Sequence, residues 1–226
     1  MAHLVLVRHA QSEWNAENRF TGWQDPSLSK EGMSEARLCA AAMREDGLTF
    51  DCAYTSYLRR AVRTLWLIQE EMDLMWLSVF TDWRLNERHY GDLQGRNKAE
   101  IAAVHGEAQV YDWRRGYLSC PPLAAAAVDA PDHRYAGIAD KPQGESLATT
   151  LLRTRACYEE RIVPQLQAGR RVLVVAHGNS LRTLVKHIEN IADADIAQVS
   201  IPTGRALVYQ TDDKGAPQAP ATVLPQ

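Results

Sequence analysis

The sequence predicts an α/β fold, a three-layer sandwich with a mostly parallel central sheet and helices on both faces. Three observations carry this. Short apolar runs at 4–7 (Leu-Val-Leu-Val) and 172–176 (Val-Leu-Val-Val-Ala) have the look of strands buried on both faces. Leu58, Ala61, Val62, Leu65, Ile68 and Met72 recur at helical spacing between them. Strands alternating with helices is the pattern of a layered parallel sheet. The 226 residues, 46% hydrophobic and 23% charged, suit one globular domain with a sizeable core and leave a second cramped.

In chain order, 4–7 is the first strand. A helix starts at Ser29-Lys30-Glu31 and runs to about Asp46, where Gly47 offers a stop; its Ala-rich stretch 36–42 suits close packing. Residues 51–55 read as a second short strand, and the amphipathic helix from Leu58 to Met72 follows, with Arg59, Arg60 and Arg63 in its first two turns. Stretches 97–105 and 107–115 read as helical. The segment 119–144, with prolines and an alanine run, reads as an ordered insertion or mobile loop within a single domain spanning 1–226. A long helix spans about 145–168, perturbed near Pro164, which lacks a backbone donor. The strand 172–176, a helix from about Asn179 and a last strand at 206–210 follow; after Asp212 the tail reads as irregular.

Composition excludes several classes of function. A formal net charge of −3 is not the basic footprint of a general nucleic-acid binder, and an anionic substrate would need a local cluster of cations. No apolar run approaches the ~20 residues that span a bilayer, so no membrane role is expected. The start, MAHLVLVRHAQS, meets Arg8-His9 too early for a secretory signal. Cys39, Cys52, Cys120 and Cys157 are scattered, without Cys-x-x-Cys, and fit reduced thiols in a cytoplasmic protein better than a disulfide framework or zinc site.

Two predicted strands each end in a histidine: the first runs into Arg8-His9, the later one into His177-Gly178-Asn179-Ser180. In open parallel sheets, ligands bind beyond the carboxyl ends of the strands, so the two histidines can meet. Either alone would more often be a packed strand-end residue; the pair, each beside a turn opening a helix, points to an anion site. Phosphoryl transfer needs a nucleophile, and neutral imidazole, with a pKa near ~6.5, can serve. It needs fixed donors around the equatorial oxygens, for which Arg8 and Arg60 are candidates. It also needs a proton donor for the leaving oxygen, and Glu87 in Leu-Asn-Glu-Arg-His-Tyr-Gly is the best candidate. No P-loop and no tight carboxylate cluster for magnesium appears, so metal-free chemistry is expected.

These residues resemble the cofactor-dependent phosphoglycerate mutases of the histidine phosphatase superfamily. The matching segments are 4–9, Ser-Glu-Trp-Asn at 12–15, Asn-Arg-Phe-Thr-Gly-Trp at 18–23, Ala-Tyr-Thr-Ser at 53–56, Leu-Asn-Glu-Arg-His-Tyr-Gly at 85–91, Trp-Arg-Arg-Gly at 113–116, Ala-His-Gly-Asn-Ser-Leu-Arg at 176–182 and Ile-Pro-Thr-Gly at 201–204. They cover about 3–212 in unbroken order. The resemblance implies a phosphoglycerate mutase-like fold and the glycolytic and gluconeogenic interconversion of 3- and 2-phosphoglycerate. His9 would be the phosphorylated nucleophile, primed by 2,3-bisphosphoglycerate. Arg8, Arg60 and His177 would hold the transferring phosphoryl group, assisted by Asn15 and Gly178, while Glu87 would exchange the proton. Ser12, Thr21, Gly22, Arg88, Tyr90, Lys98, Arg114, Arg115 and Asn179 would grip the substrate's carboxylate and second phosphate. Small phosphorylated three-carbon acids are the implied partners, and a dimer or tetramer the implied assembly.

The sequence also departs from the family. Ala10-Gln11 replaces the usual Gly-Glu, adding a methyl expected close to the phosphate and removing a negative charge beside it. Family members commonly continue past this chain's end with a Lys-rich tail that tends to cover the site. A short Ala- and Pro-rich tail implies easier access of water to phosphohistidine, hence hydrolysis. Gly22, where the bisphosphoglycerate-forming branch tends to carry serine, favours the mutase over that synthase. The competing readings are a phosphohistidine-dependent phosphatase of small phosphate esters, using the same His9, Arg8, Arg60 and His177, and a non-catalytic binding protein. The latter is disfavoured because His9 and Glu87 are both present.

Overall fold

A computed structural model of the chain describes residues 2–125 and 132–224. Part of the expected insertion, 126–131, lies outside the described residues. Among the described residues, six strands form one sheet in the order β3-β2-β4-β1-β5-β6. They are β1 His3–Arg8, β2 Cys52–Thr55, β3 Val79–Thr81, β4 Val172–Ala176, β5 Ala206–Gln210 and β6 Thr222–Val223. The pairs β3–β2, β2–β4 and β4–β1 are parallel, whereas β1–β5 and β5–β6 are antiparallel.

The helices are α1 Glu13–Ala16, α2 Lys30–Glu45, α3 Arg59–Glu71, α4 Lys98–His105, α5 Glu107–Arg115, α6 Leu147–Cys157, α7 Val163–Gln167 and α8 Gly178–Ile188. Strand alternation decides which helices cover which face. Val5, Val7, Ala53, Leu173 and Val175 pack with Ala40 and Met43 of α2 and Leu65 and Ile68 of α3. Leu4, Leu6, Tyr54, Val172 and Val174 face the other way, onto Cys157, Ile162, Leu181 and Leu184. The sandwich is therefore three-layered, and its buried strands are apolar on both faces because both are covered.

The structure corrects three details. β3 was not expected: its residues are exposed and lie at the sheet's edge, so neither apolar run nor alternation marks it. The tail after Asp212 is not wholly irregular, because Thr222–Val223 pairs with β5. The helix expected over 145–168 is interrupted by a π-turn at Tyr158–Ile162. Pro164 explains the interruption, since its ring crowds the carbonyl four residues back and it cannot donate there. Within this turn the Arg161 carbonyl accepts from the Tyr54 hydroxyl at 2.9 Å.

Candidate active site

The site is built at the carboxyl ends of the adjacent parallel strands β1, β4 and β2. Lying side by side in register, β1 and β4 deliver His9 and His177 to one edge, with ring centroids 5.0 Å apart. The His9 amide donates to the Ala176 carbonyl at 2.9 Å, which extends the β1–β4 pairing into the site.

His9 is only 2% exposed. Its Nδ1 lies 2.8 Å from the Ala10 carbonyl, which can only accept, so Nδ1 carries the proton and Nε2 keeps its lone pair. Arg60 Nε lies 3.3 Å from that Nε2. Burial, then Arg60 and Arg8, hold the His9 pKa well below the ordinary histidine value, so the ring is neutral. His177 is neutral for the same first reason, with Arg60 and His9 adding to it. Its Nε2 lies 2.7 Å from Ser56 Oγ, while Nδ1 is buried without a partner.

Arg60 is 1% exposed, and its Nη1 and Nη2 donate to the Gln24 and Gly22 carbonyls at 2.8 Å each. These bonds tie α3 to the loop after α1, and burial lowers the Arg60 pKa to about 10. Arg8 donates through Nη1 to the Ile201 carbonyl, and its Nε is buried without a partner. A side chain at Gly178 would place Cβ 3.2 Å from the Arg8 guanidinium carbon, so glycine here admits that arginine. Glu87 Oε1 accepts from the Arg88 amide at 2.8 Å and from the Asn179 amide, at the start of α8, at 3.1 Å.

A cleft of about 600 Å³, partly open to solvent, joins these groups. The expected residues Arg8, His9, Asn15, Thr21, Gly22, Arg60, Glu87, Tyr90, Lys98, Arg114, Arg115, Gly178 and Asn179 all line it. Tyr90 receives a bond from Asn179 Nδ2 at 3.1 Å; burial pushes its hydroxyl up, but the Arg88 charge together with hydrogen bonds from Arg88 and Asn179 leaves its pKa lowered. Lys98 is lowered by burial and then by Arg114. Among the described residues Glu87 is the single acidic one lining the cleft, which is strongly positive although the chain is not.

Three expected residues do not line it. His177 sits against His9. Ser12 is turned to the head of α1, where it and Asn15 form a reciprocal cap. Arg88 is fully buried, donates to the Trp113 carbonyl and lies 4.7 Å over the Tyr90 ring. The expectations for Ala10 and Gln11 also need correction. Ala10 packs with Leu28, Ala36 and Leu67, away from the cleft, and it does not have a positive φ. Gln11 accepts from Ser29 Oγ at 2.8 Å, steadying the cap of α2 and not facing an anion.

Arg19, Phe20 and Arg182 line the cleft unforeseen. Arg182 donates to the Val199 carbonyl at 2.9 Å and to Asn179 Oδ1. Its position three residues after Asn179 on a helix puts both on one face, and that spacing could have flagged it. Among the described residues, no group of three or more His, Cys, Asp or Glu converges as a metal site would require.

Known proteins resemble this chain in sequence and in fold. The family model described as histidine phosphatase superfamily (branch 1) matches residues 4–218. A 2,3-bisphosphoglycerate-dependent phosphoglycerate mutase of Nitrosococcus oceani is 49% identical over 221 residues, covering 96% of this chain and 92% of that one. Among solved structures, a mycobacterial glucosyl-3-phosphoglycerate phosphatase complexed with VO3 superimposes with a TM-score of 0.73 at 26% identity, over 93% of each chain. Bacillus stearothermophilus YhfR has a TM-score of 0.75 at 23% identity, covering 98% of this chain and 96% of that one, a likeness of fold.

Proposed function

The chain belongs to the histidine phosphatase superfamily, and from that premise we propose that it interconverts 3-phosphoglycerate and 2-phosphoglycerate through a phosphohistidine at His9. The observation that carries this is the joining, in one cleft, of a neutral His9, the carboxyl group of Glu87 and more cations than one phosphate requires. Arg8 and Arg60 lie beside the nucleophile, while Lys98, Arg114 and Arg115 supply charge for a second anionic group. A substrate with phosphate and carboxylate fits that division.

Bound 2,3-bisphosphoglycerate would supply the first phosphoryl group, and the buried Arg8 Nε without a partner fits such an anion. His9 Nε2 forms the new P–N bond as the P–O bond breaks, while its Nδ1–H stays on the Ala10 carbonyl. Arg8, Arg60 and His177 hold the transferring oxygens. Glu87 gives a proton to the leaving oxygen and, in the reverse transfer, takes one from the attacking hydroxyl. Phosphorylated His9 would then give its phosphoryl group to the free hydroxyl of bound 3-phosphoglycerate, and the bisphosphoglycerate so formed, once reoriented, would return its other phosphoryl group to His9 and leave 2-phosphoglycerate. No metal takes part in this scheme.

A phosphatase reading has one observation in its favour. Among the described residues, none after Arg182 lines the cleft, and the described tail pairs with β5, so the phosphohistidine would be open to water. A cytoplasmic location and a dimer or tetramer complete the proposal. The exposed edge strand β3, which includes Phe80, and the exposed Trp76 before it support self-association.

The test is an assay of the purified protein on 3-phosphoglycerate, with and without catalytic 2,3-bisphosphoglycerate, following 2-phosphoglycerate and free phosphate together. Primer-dependent 2-phosphoglycerate that disappears in His9→Ala is the expected result. Free phosphate without isomerisation would move the chain to the phosphatases.

A further inference from the structure

Glu87 sits in a segment with little regular structure, yet it is buried. Its backbone groups must therefore find partners elsewhere. The carbonyls of this segment find them in one ion pair, between Glu145 just before α6 and Arg153 within it. Arg153 uses five donor contacts: Nε and Nη2 to Glu145 at 2.7 and 2.8 Å, Nη1 to the carbonyls of Arg84 and Asn86 at 2.8 Å each, and Nη2 to the Glu87 carbonyl at 3.0 Å. A guanidinium has five N–H groups, so none is left over. Glu145 in turn accepts from the His89 amide at 2.7 Å, on the far side of Glu87. The pair is almost wholly buried, with side chains 8% and 5% exposed. The Glu87 carbonyl takes a second donor, Trp23 Nε1, at 2.6 Å, and Trp23 adjoins the Gly22 carbonyl that holds Arg60.

We propose that Arg153 and Glu145 are positioning residues for Glu87, an internal clamp that aims its carboxyl group at the phosphoryl-transfer site. The inference rests on the reading of Glu87 as the proton-exchanging group. Neither Arg153 nor Glu145 lines the cleft, so neither meets substrate. Their effect passes through the backbone: fixing the carbonyls of residues 84, 86 and 87 and the amide of 89 leaves the Glu87 side chain little freedom. Its Oε1 then meets the Arg88 and Asn179 amides. His9, Arg8 and His177 stand at the ends of β1 and β4, and their hydrogen bonds run to residues other than Arg153 and Glu145.

The clamp therefore governs proton transfer and not phosphate binding, and this separates it from a merely structural ion pair. Arg153→Lys keeps a cation beside Glu145 but has three donors for five acceptor contacts. Glu145→Gln keeps the side-chain length and one oxygen for the His89 amide. Because breaking a buried ion pair can unfold a domain, Trp23→Phe is the second kind of variant: it keeps an aromatic ring but deletes one donor to the Glu87 carbonyl. Each is assayed in the full chain for kcat and KM with primed 3-phosphoglycerate, and for inhibition by inorganic vanadate as the probe of the phosphoryl pocket. Thermal melts show that each variant is folded.

The expected result is a fall in kcat of about 10- to 100-fold for Arg153→Lys, the cost of a misplacement on the order of 1 Å. A smaller fall is expected for Trp23→Phe. KM and vanadate inhibition should stay within about threefold, less than the ~1.4 kcal/mol that a tenfold change represents. The decisive comparison is Glu87→Gln with and without Arg153→Lys: if the arginine acts through Glu87, adding it to Glu87→Gln costs nothing further. Full activity in folded Arg153→Lys, or an undiminished penalty in the Glu87→Gln background, overturns the clamp while leaving the role of Glu87 standing. Full activity of Glu87→Gln itself overturns that role, and the clamp with it.

Discussion

Ser56→Ala probes how His177 is held. Ser56 Oγ lies 2.7 Å from His177 Nε2 and accepts the Leu58 amide at 3.1 Å, and all three residues are fully buried. One hydrogen is shared between Oγ and Nε2, while Nδ1 is buried without a partner. Alanine deletes both bonds and leaves a buried amide and a buried imidazole nitrogen unsatisfied. Each such group costs about 1–3 kcal/mol, so the sum is about 2–4 kcal/mol allowing for relaxation. At roughly 2–4 °C per kcal/mol for a domain of this length, the melting temperature falls by about 5–15 °C. With the ring no longer oriented, kcat for primed 3-phosphoglycerate falls by at least about tenfold, and KM changes little. Calorimetry and steady-state kinetics on the same preparation check both. A melting temperature within about 1 °C of the parent, with kcat unchanged, would refute the assignment of Ser56 as the anchor of His177.

Three further outcomes follow from the same geometry. His9, His177 and His89 are all held below the ordinary histidine value, burial being the first cause each time, and His89 falls to about 4. The unfolded chain binds protons below about pH 6.5 that the folded one refuses, so stability is complete above that pH. It is then lost as pH falls toward the folded values, by up to about 1.4 kcal/mol per pH unit for each histidine. Denaturant midpoints at pH 7.5, 6.5 and 5.5 measure this, and a flat profile sinks it. Gly32→Ala would place Cβ 1.9 Å from the Gln11 carbonyl, pushing α2 off the loop that follows His9. A loss of about 1–3 kcal/mol by chemical denaturation is expected, and an unaltered midpoint contradicts that close approach. Arg115→Ala removes one cation of the second anion position and should raise KM for 3-phosphoglycerate about tenfold. Vanadate inhibition should be unaffected, and a matching loss there would merge the two positions.

Much of the fold was legible because it rests on local patterns. The runs at 4–7 and 172–176 can be apolar throughout only if helices cover both sheet faces, and they are covered. Ser29 caps α2 through the Gly32 amide, and Gly47 closes it with a φ of 71° that glycine adopts freely. β3 was not legible because an exposed edge strand needs no apolar face. The π-turn was foreseen only as a disturbance at Pro164, because the turn that absorbs it lies one turn earlier.

The site divides in the same way. His9, Arg8, His177 and Glu87 stood out by residue type beside strand ends, and the family resemblance extended the list to residues such as Lys98 and Arg115 that then line the cleft. Arg182 was within reach through its helical spacing. Ala10 and Gln11 were placed beside the phosphate because they follow His9, but adjacency in sequence says little where a chain turns sharply out of a strand. Their side chains go to α2 and the core.

By itself the sequence determined the layered α/β architecture and the residues able to carry phosphoryl transfer. Hydrophobic periodicity and side-chain chemistry are properties that neighbours along the chain suffice to express. Only the tertiary structure decided which nitrogen of His9 is free, that Arg88 is turned from the cleft, and that Arg153 gathers the carbonyls around Glu87. Each depends on partners far along the chain, 66 residues apart for Arg153 and Glu87. Burial decides the energetics of such contacts, because a polar group removed from water must find a partner, and packing alone determines which partners are within reach.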